Sequence, residues 1–255
     1  MDMPEFQRQV VIPNVQKCSL VLLALAKSED SNLALKILAI ETLSQFTLHH
    51  PTHHRAIQQN LHSFTLGHLQ GNSPIPSFPS PLSNNSVPSL PSAAIRLHAT
   101  LPLTGGKVGA SVAWRKSVDS AIGTIWNLLV VLRRSYGDVA PPATTPATFT
   151  LPPLPDDPAL AVSLALDRLR CITKLLLHLL ATPTARPVSM PLGSLSQLAL
   201  KLIQCSTVEP AQPPQIPFEP IQRTVEAAVV PELCIAGCML TQQLARTCGK
   251  LFTTY

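Results

Sequence analysis

The residues of this chain whose types and spacing come nearest to chemistry are its histidines. His49, His50, His53 and His54 crowd together, and His62 follows eight residues later. His50 and His54 stand one helical turn apart, and imidazole suits zinc or iron. Pro51 lies between them, however, and no cysteine or carboxylate is adjacent in sequence. A polar helix start crowded with partly exposed histidines explains the cluster more simply. The six cysteines, Cys18, Cys171, Cys205, Cys234, Cys238 and Cys248, are scattered and form no CxxC pair. Cys234 and Cys238 share a helical face but have no histidine nearby to complete a zinc site. Buried thiols in a reduced compartment are the plainer reading.

Other reactive arrangements are weaker still. No G-x-S-x-G elbow is present to seat a nucleophilic serine. Gly105-Gly106-Lys107 resembles a piece of a phosphate loop, but Val108 follows the lysine and no upstream glycine fits. The 14 acidic residues fall mostly at helix ends or in linkers, as at Asp156-Asp157, where capping explains them. The expectation is a non-enzyme with no catalytic residues, no metal site and no cofactor.

Basic residues offer a second possibility. Arg115, Lys116, Arg133 and Arg134 lie on one expected helix, and Arg168, Arg170 and Lys174 on another. Such side chains can contact RNA phosphates, but more often they form the solvated face of an amphipathic helix. Aromatic residues are 4% of the chain, which leaves little for a base-stacking platform. The formal net charge of +5 is modest for a strong nucleic-acid binder. Direct RNA contact is therefore only weakly supported.

With 255 residues the chain is long enough for one or two domains and a real core. Its 26 prolines are about twice the usual share, and charged residues at 13% are about half of it. A fibrous protein, a coiled-coil rod and a small cystine-stapled domain are excluded. The N-terminus lacks the form of a signal peptide. Uninterrupted apolar runs such as SLVLLALA and IWNLLVVL are shorter than the ~18–20 residues of a span. Together these features predict an intracellular soluble protein without a membrane.

The elements read as helices. One helix is expected from Asn14 to Lys27. Another is capped by Ser31 or Asn32 and carries Leu33, Ile37, Ile40, Leu43 and Phe46 on one face. Thr52 is a candidate cap for a third helix bearing Arg55, Ile57, Leu61 and Phe64. A short helix over 92–99 precedes a long one over 111–134, with Trp114, Val118, Ala121, Ile125, Leu129 and Leu132 inward. Asp157-Pro158 opens the next, with Val162, Leu166, Leu169, Ile172, Leu176 and Leu180 inward. Further helices cover 194–205 and 221–247, the latter open to interruption at Pro231. Strand-like alternation is nearly absent. The predicted fold is all-α, an irregular antiparallel helical repeat of armadillo or HEAT type, with a compact orthogonal bundle as the alternative. Residues 1–205 form the expected scaffold domain, and 206–255 a further helical segment. Segments 71–91 and 140–155 are rich in proline and uncharged until Pro155, and they read as flexible loops.

Four stretches carry a likeness. They are VVIPNVQKCSLVLLAL, TLSQFTLHHPTHHRAIQQNL, SAAIRLHATLPLTGGK with WRKSVDSAIGTIWNLL, and LRCITKLLLHLLATPTARPVSMPLGSLSQLALKLI. In this order they resemble the N-terminal region of the pre-rRNA-processing scaffold of the fungal Rix complex. Its animal relative is the proline-, glutamic-acid- and leucine-rich protein. The likeness covers most of residues 6–205. The family has further helical sequence ahead of the position of Phe6 and a long, partly acidic tail, so the chain reads either as a fragment or as a shorter product.

The resemblance implies a non-enzymatic, homodimeric scaffold in the nucleolus and nucleoplasm. It would join a WD-repeat subunit and a helical-repeat subunit and act on the pre-60S particle. There it would support removal of the second internal transcribed spacer and recruit an AAA-type remodelling ATPase. A generic helical-repeat adaptor in transcription or transport is the alternative. Within the matching stretches, Pro51, Arg55, Trp114, Thr184, Arg186, Pro187, Pro191 and Gly193 are marked as partner-binding or loop-defining.

The strap from Thr182 to Gly193 is expected to be stiff, because Pro183, Pro187 and Pro191 fix φ and push their predecessors toward extended geometry. Gly193 is expected to allow a close backbone approach, and Arg186 to lock the strap down or face a partner. Limited digestion with a protease of broad specificity should cut first within 71–91 and 140–155. Protection of both segments in the native protein would contradict the loop assignment.

Overall fold

The computed structural model describes residues 3–71, 89–141, 147–184, 186–205 and 220–249. Most of the proline-rich segment 71–91, the middle of 140–155 and residues 206–219 lie outside the described residues. The fold is all-α and repeat-like, and no strand occurs among the described residues. The chain divides into two compact units. The first comprises Met1–Leu69, Asn85–Arg115 and Thr182–Val188, the second Gln70–Asn84, Lys116–Ala181 and Ser189–Tyr255.

The first unit opens with the short α1 (Met3–Phe6), a π-helical turn over Gln7–Val11, and α2 (Ile12–Lys27). The helix thus starts before Asn14. Pro13 has no N–H to give, and the widened turn just ahead of it accommodates that loss. α3 (Leu33–His49) is capped as expected, with Asn32 Oδ1 accepting the Ala34 N–H at 3.1 Å. Ile37, Ile40 and Leu43 are buried, whereas Leu33, in the first turn, points to solvent.

Thr52 does not cap a helix. Proline at position 51 starts a 3-10 turn over Pro51–Ile57, and α4 (Gln58–Leu69) continues from it. α5 (Leu90–Thr100) begins at Ser89, whose Oγ accepts the Ser92 N–H at 3.3 Å. Leu23, Ile40, Leu43, Ile57, Leu61 and Leu97 form a core shared by α2, α3, the 3-10 turn, α4 and α5.

α6 (Gly106–Leu132) starts five residues earlier than the glycines suggested and contributes its later part to the second unit. Its whole expected stripe is buried, as is Trp126. α7 (Pro158–Ala181) starts where Asp157 Oδ1 accepts the Ala159 N–H at 2.8 Å, and its six expected positions are all buried. α8 (Leu192–Gln204), α9 (Pro220–Ala228) and α10 (Val230–Cys248) follow. A turn at Val229 interrupts the last stretch, with Pro231 in the first turn of α10.

Two helical stretches exceed the expectation drawn from uninterrupted apolar runs. Gln9–Lys27 and Ile221–Cys248 are long and apolar enough to cross a membrane by length and composition, with 22% and 33% of their windows buried. Each nevertheless packs one stripe on its neighbours. Ser19 of α2 is buried and hydrogen-bonded to His54, and α10 lies along α8.

The α8–α10 contact is close because of Gly237. A Cβ there would meet Ile203 Cγ1 at 2.7 Å and Ala199 O and Leu202 Cβ at 3.0 Å. Gly67, inside α4, has no described atom within 4 Å of a built Cβ. Gly237→Val should therefore destabilise the protein by about 2–3 kcal/mol through overpacking. Gly67→Ala should stabilise it by about 0.5–1 kcal/mol through helix propensity. Chemical denaturation of both variants checks the contrast.

Candidate functional site

Of the clustered histidines, His54 is built into the fold. His54 is buried. Its Nδ1 donates to His50 O at 2.9 Å, and its Nε2 lies 2.8 Å from Ser19 Oγ. With Nδ1 carrying the proton of a neutral ring, Nε2 accepts from the Ser19 hydroxyl, tying the 3-10 turn to α2. Burial pushes the His54 pKa below its ordinary value.

His98 on α5 is also buried. Its Nδ1 lies 2.8 Å from Thr65 Oγ1, which donates its single proton to the carbonyls of Leu61 and His62. His98 Nδ1–H therefore donates to Thr65, joining α5 to α4. Burial, aided by the His62 ring 5.0 Å away, lowers the His98 pKa to about 3. Among the described residues no three His, Cys, Asp or Glu side chains gather to hold a metal.

No disulfide joins any of the six cysteines. They are not uniformly buried, since Cys18 and Cys238 are exposed. Burial pushes the Cys171 thiol up to about 11, which suppresses its thiolate.

The basic residues of α6 and α7 divide between surface and interior. Arg134, Lys116 and Lys174 are exposed, but Arg133 is only 2% exposed and Arg168 only 4%. Arg133 pairs bidentately with Asp138, at 3.2 Å from each nitrogen, and its guanidinium stacks 3.8 Å over the Tyr136 ring. Lys201 Nζ adds a bond of 2.6 Å to Asp138 O. Beside this end of α6, buried Glu226 accepts the Ser135 N–H at 2.9 Å and hydroxyl at 2.6 Å.

Arg168 donates to Gln70 O at 2.7 Å and Pro152 O at 2.8 Å. It thereby holds Gln70 and Pro152 against α7, and Gln70 is followed by Gly71, whose φ of +74° favours glycine. Residues 147–155 run over the surface, pinned at Pro152 and where the Phe149 N–H reaches Thr124 Oγ1 at 3.0 Å. Arg168 and Arg133 are therefore clamps of the fold and do not offer themselves to RNA phosphates.

The sequence-marked positions do not converge on one site. Trp114 is buried packing. Pro51 starts the 3-10 turn, and Arg55 on that turn is exposed, lining an open depression of about 370 Å³ with Ala56, Gln58, Gln59 and His62. In the strap, Thr184 Oγ1 donates to Arg186 O at 2.8 Å, making a tight local turn. Arg186 and Pro187 are exposed, and Arg186 makes no side-chain hydrogen bond among the described residues. The arginine therefore does not lock the strap down. Pro191 is buried at the N-cap of α8. Gly193 makes no close approach, because no described atom lies within 4 Å of a built Cβ. The interior clamps Arg133, Arg168 and Glu226 were missed as structural residues. A helical arginine or glutamate reads as a solvent-facing residue when its partners lie far along the chain.

Against known proteins, residues 1–76 match the RIX1 family, described as rRNA processing/ribosome biogenesis. No curated protein matches the chain. The match spans all of α1 to α4 and links the chain to rRNA processing.

The buried neutral histidines give the first unit a defined pH response. A histidine whose folded pKa lies below 6.5 binds protons preferentially when unfolded, so its stability contribution is complete above that value and is lost as pH falls. For His98, with a folded value of about 3, the loss between pH 7 and pH 5 is about 2 kcal/mol. Denaturation curves at the two pH values should show it, and His98→Asn should flatten the dependence.

Proposed function

We propose that this chain is a non-enzymatic scaffold subunit of a nuclear Rix-type complex that assembles the large ribosomal subunit. The match of residues 1–76 to the RIX1 family carries the reading. An all-α repeat-like fold supports it, because stacked helices expose extended faces suited to several protein partners at once. In this role the chain dimerises, joins a WD-repeat and a helical-repeat subunit, and binds the pre-60S particle in the nucleolus and nucleoplasm. It supports removal of the second internal transcribed spacer and recruitment of the AAA-type remodelling ATPase.

The strap at 182–193 serves this role as a presented loop. Prolines stiffen it, and its one charge, Arg186, faces solvent. Affinity purification from nuclear extract should recover WD-repeat and helical-repeat subunits with pre-60S proteins. Recovery of an unrelated partner set, with no ribosomal precursors, would favour a generic adaptor. Arg186→Ala should leave the melting temperature unchanged while weakening recovery of those subunits. A loss of stability would instead make the arginine structural.

A further inference from the structure

The whole net charge of the chain sits in one stretch of it. Between Glu41 and Asp119 no acidic residue occurs, while Arg55, Arg96, Lys107, Arg115 and Lys116 do. These five equal the formal net charge of +5, and the remaining 14 basic residues are matched by 14 acidic ones. Seven of the eight histidines lie in the same stretch.

Folding gathers part of that stretch at one end of the first unit. The 3-10 turn over Pro51–Ile57 packs on a second 3-10 turn over Leu101–Gly105, and both touch α3 and α4. Arg55 is exposed on the first turn, and Lys107 is exposed two residues past the second. Neither makes a hydrogen bond or ion pair among the described residues. Arg55 lines the open depression of about 370 Å³ with Gln58, Gln59 and His62, and no carboxylate joins them. Every acidic residue of the first unit precedes Thr42 in the chain. Glu29 and Asp30 stand ahead of α3, about 25 Å along the helix from the end that leads into the first turn. Glu5 lies about 20 Å of helix ahead of Ser19, where α2 meets His54. Glu41 is held by Arg96.

A protein partner fits such a surface poorly. Protein interfaces are built around an apolar core, and among the described residues no large apolar side chain between Leu38 and Val108 is exposed. Interfaces with nucleic acid are more polar and much more positive. The depression supplies a guanidinium fork that matches a phosphate. Its two amides both give and take hydrogen bonds, as a ribose 2′-hydroxyl does. No Phe, Tyr or Trp lines it to stack an unpaired base, which favours a duplex over a single strand.

We propose that this end of the first unit binds the phosphate–ribose backbone of double-stranded RNA. Arg55 takes one phosphate, Gln58 and Gln59 bond the neighbouring 2′-hydroxyls, and Lys107 takes a further phosphate. These contacts position the protein on a duplex without reading its sequence. The inference stands on the distribution of charge and does not rest on the ribosome-assembly reading, since the probe below carries no ribosomal sequence.

The test is fluorescence anisotropy of a labelled RNA duplex of about 20 base pairs and arbitrary sequence, titrated with the full chain between about 50 and 200 mM KCl. Affinity should fall steeply as salt rises. Arg55→Gln combined with Lys107→Gln should weaken binding at least about tenfold and lower the salt slope by about two, one for each lost phosphate contact. The melting temperature should hold, because both side chains are exposed. Lys174→Gln combined with Arg246→Gln removes the same charge from exposed surface of the second unit and should leave affinity within about twofold. Gln58→Ala combined with Gln59→Ala should narrow the preference for RNA over a DNA duplex of the same sequence. Absence of binding, equal losses in the two charge variants, equal affinity for the RNA and DNA duplexes, or tighter binding of the single strand would overturn the proposal. Displacement of the duplex by polyglutamate at matched charge would assign the face to an acidic protein segment instead.

Discussion

An amphipathic helix cannot bury its own apolar stripe, and every long helix of this chain carries one. With aromatic residues at 4%, the interior is filled by leucine, isoleucine, valine and alanine on helix faces. Covering those faces requires another helix at close range. That constraint sets the layer of α2, α3 and α5 in the first unit, and the packing of α10 on α8 and α7 in the second. Gly237 shows how far the approach goes, since a single methyl group would meet the neighbouring helix.

Side-by-side stacking leaves loop ends and helix ends to be secured, and polar side chains do this. Arg168 holds the carbonyls of Gln70 and Pro152, and Arg133 with Lys201 holds Asp138. Glu226 fixes Ser135 just after α6. In the first unit the same task falls to His54 and His98, each neutral and each hydrogen-bonded to a hydroxyl. His54, one of the clustered histidines, is thus a seam between the 3-10 turn and α2, and His98 a seam between α5 and α4. Removing one partner from such a buried pair strands the other without water, which is why these contacts hold their elements firmly.

The periodic residues were legible in the sequence. The stripes of α6 and α7 are buried position for position, and Asn32 and Asp157 cap the helices they were expected to cap. Boundaries were less legible where proline and glycine were taken as stops. Pro13 follows a π-helical turn, Pro51 begins a 3-10 turn, and Gly106 opens α6. The clamps were hidden for a different reason. Arg168 bonds a carbonyl 98 residues away, so nothing local distinguishes it from a solvated arginine. Gly193 was expected to allow a close backbone approach, but no described atom lies within 4 Å of its built Cβ, and Arg186, expected to lock the strap or face a partner, is exposed. The proposed interaction role rests on family likeness alone, because a partner-facing residue has the same composition as any exposed one.

The proposed role of a chain with a RIX1-like N-terminus is in maturation of the large ribosomal subunit. Depleting it from cells and probing precursor rRNA by hybridisation to the second internal transcribed spacer tests this most directly. Spacer-containing precursor should accumulate while small-subunit precursors stay unchanged. Normal spacer processing after full depletion would contradict the account.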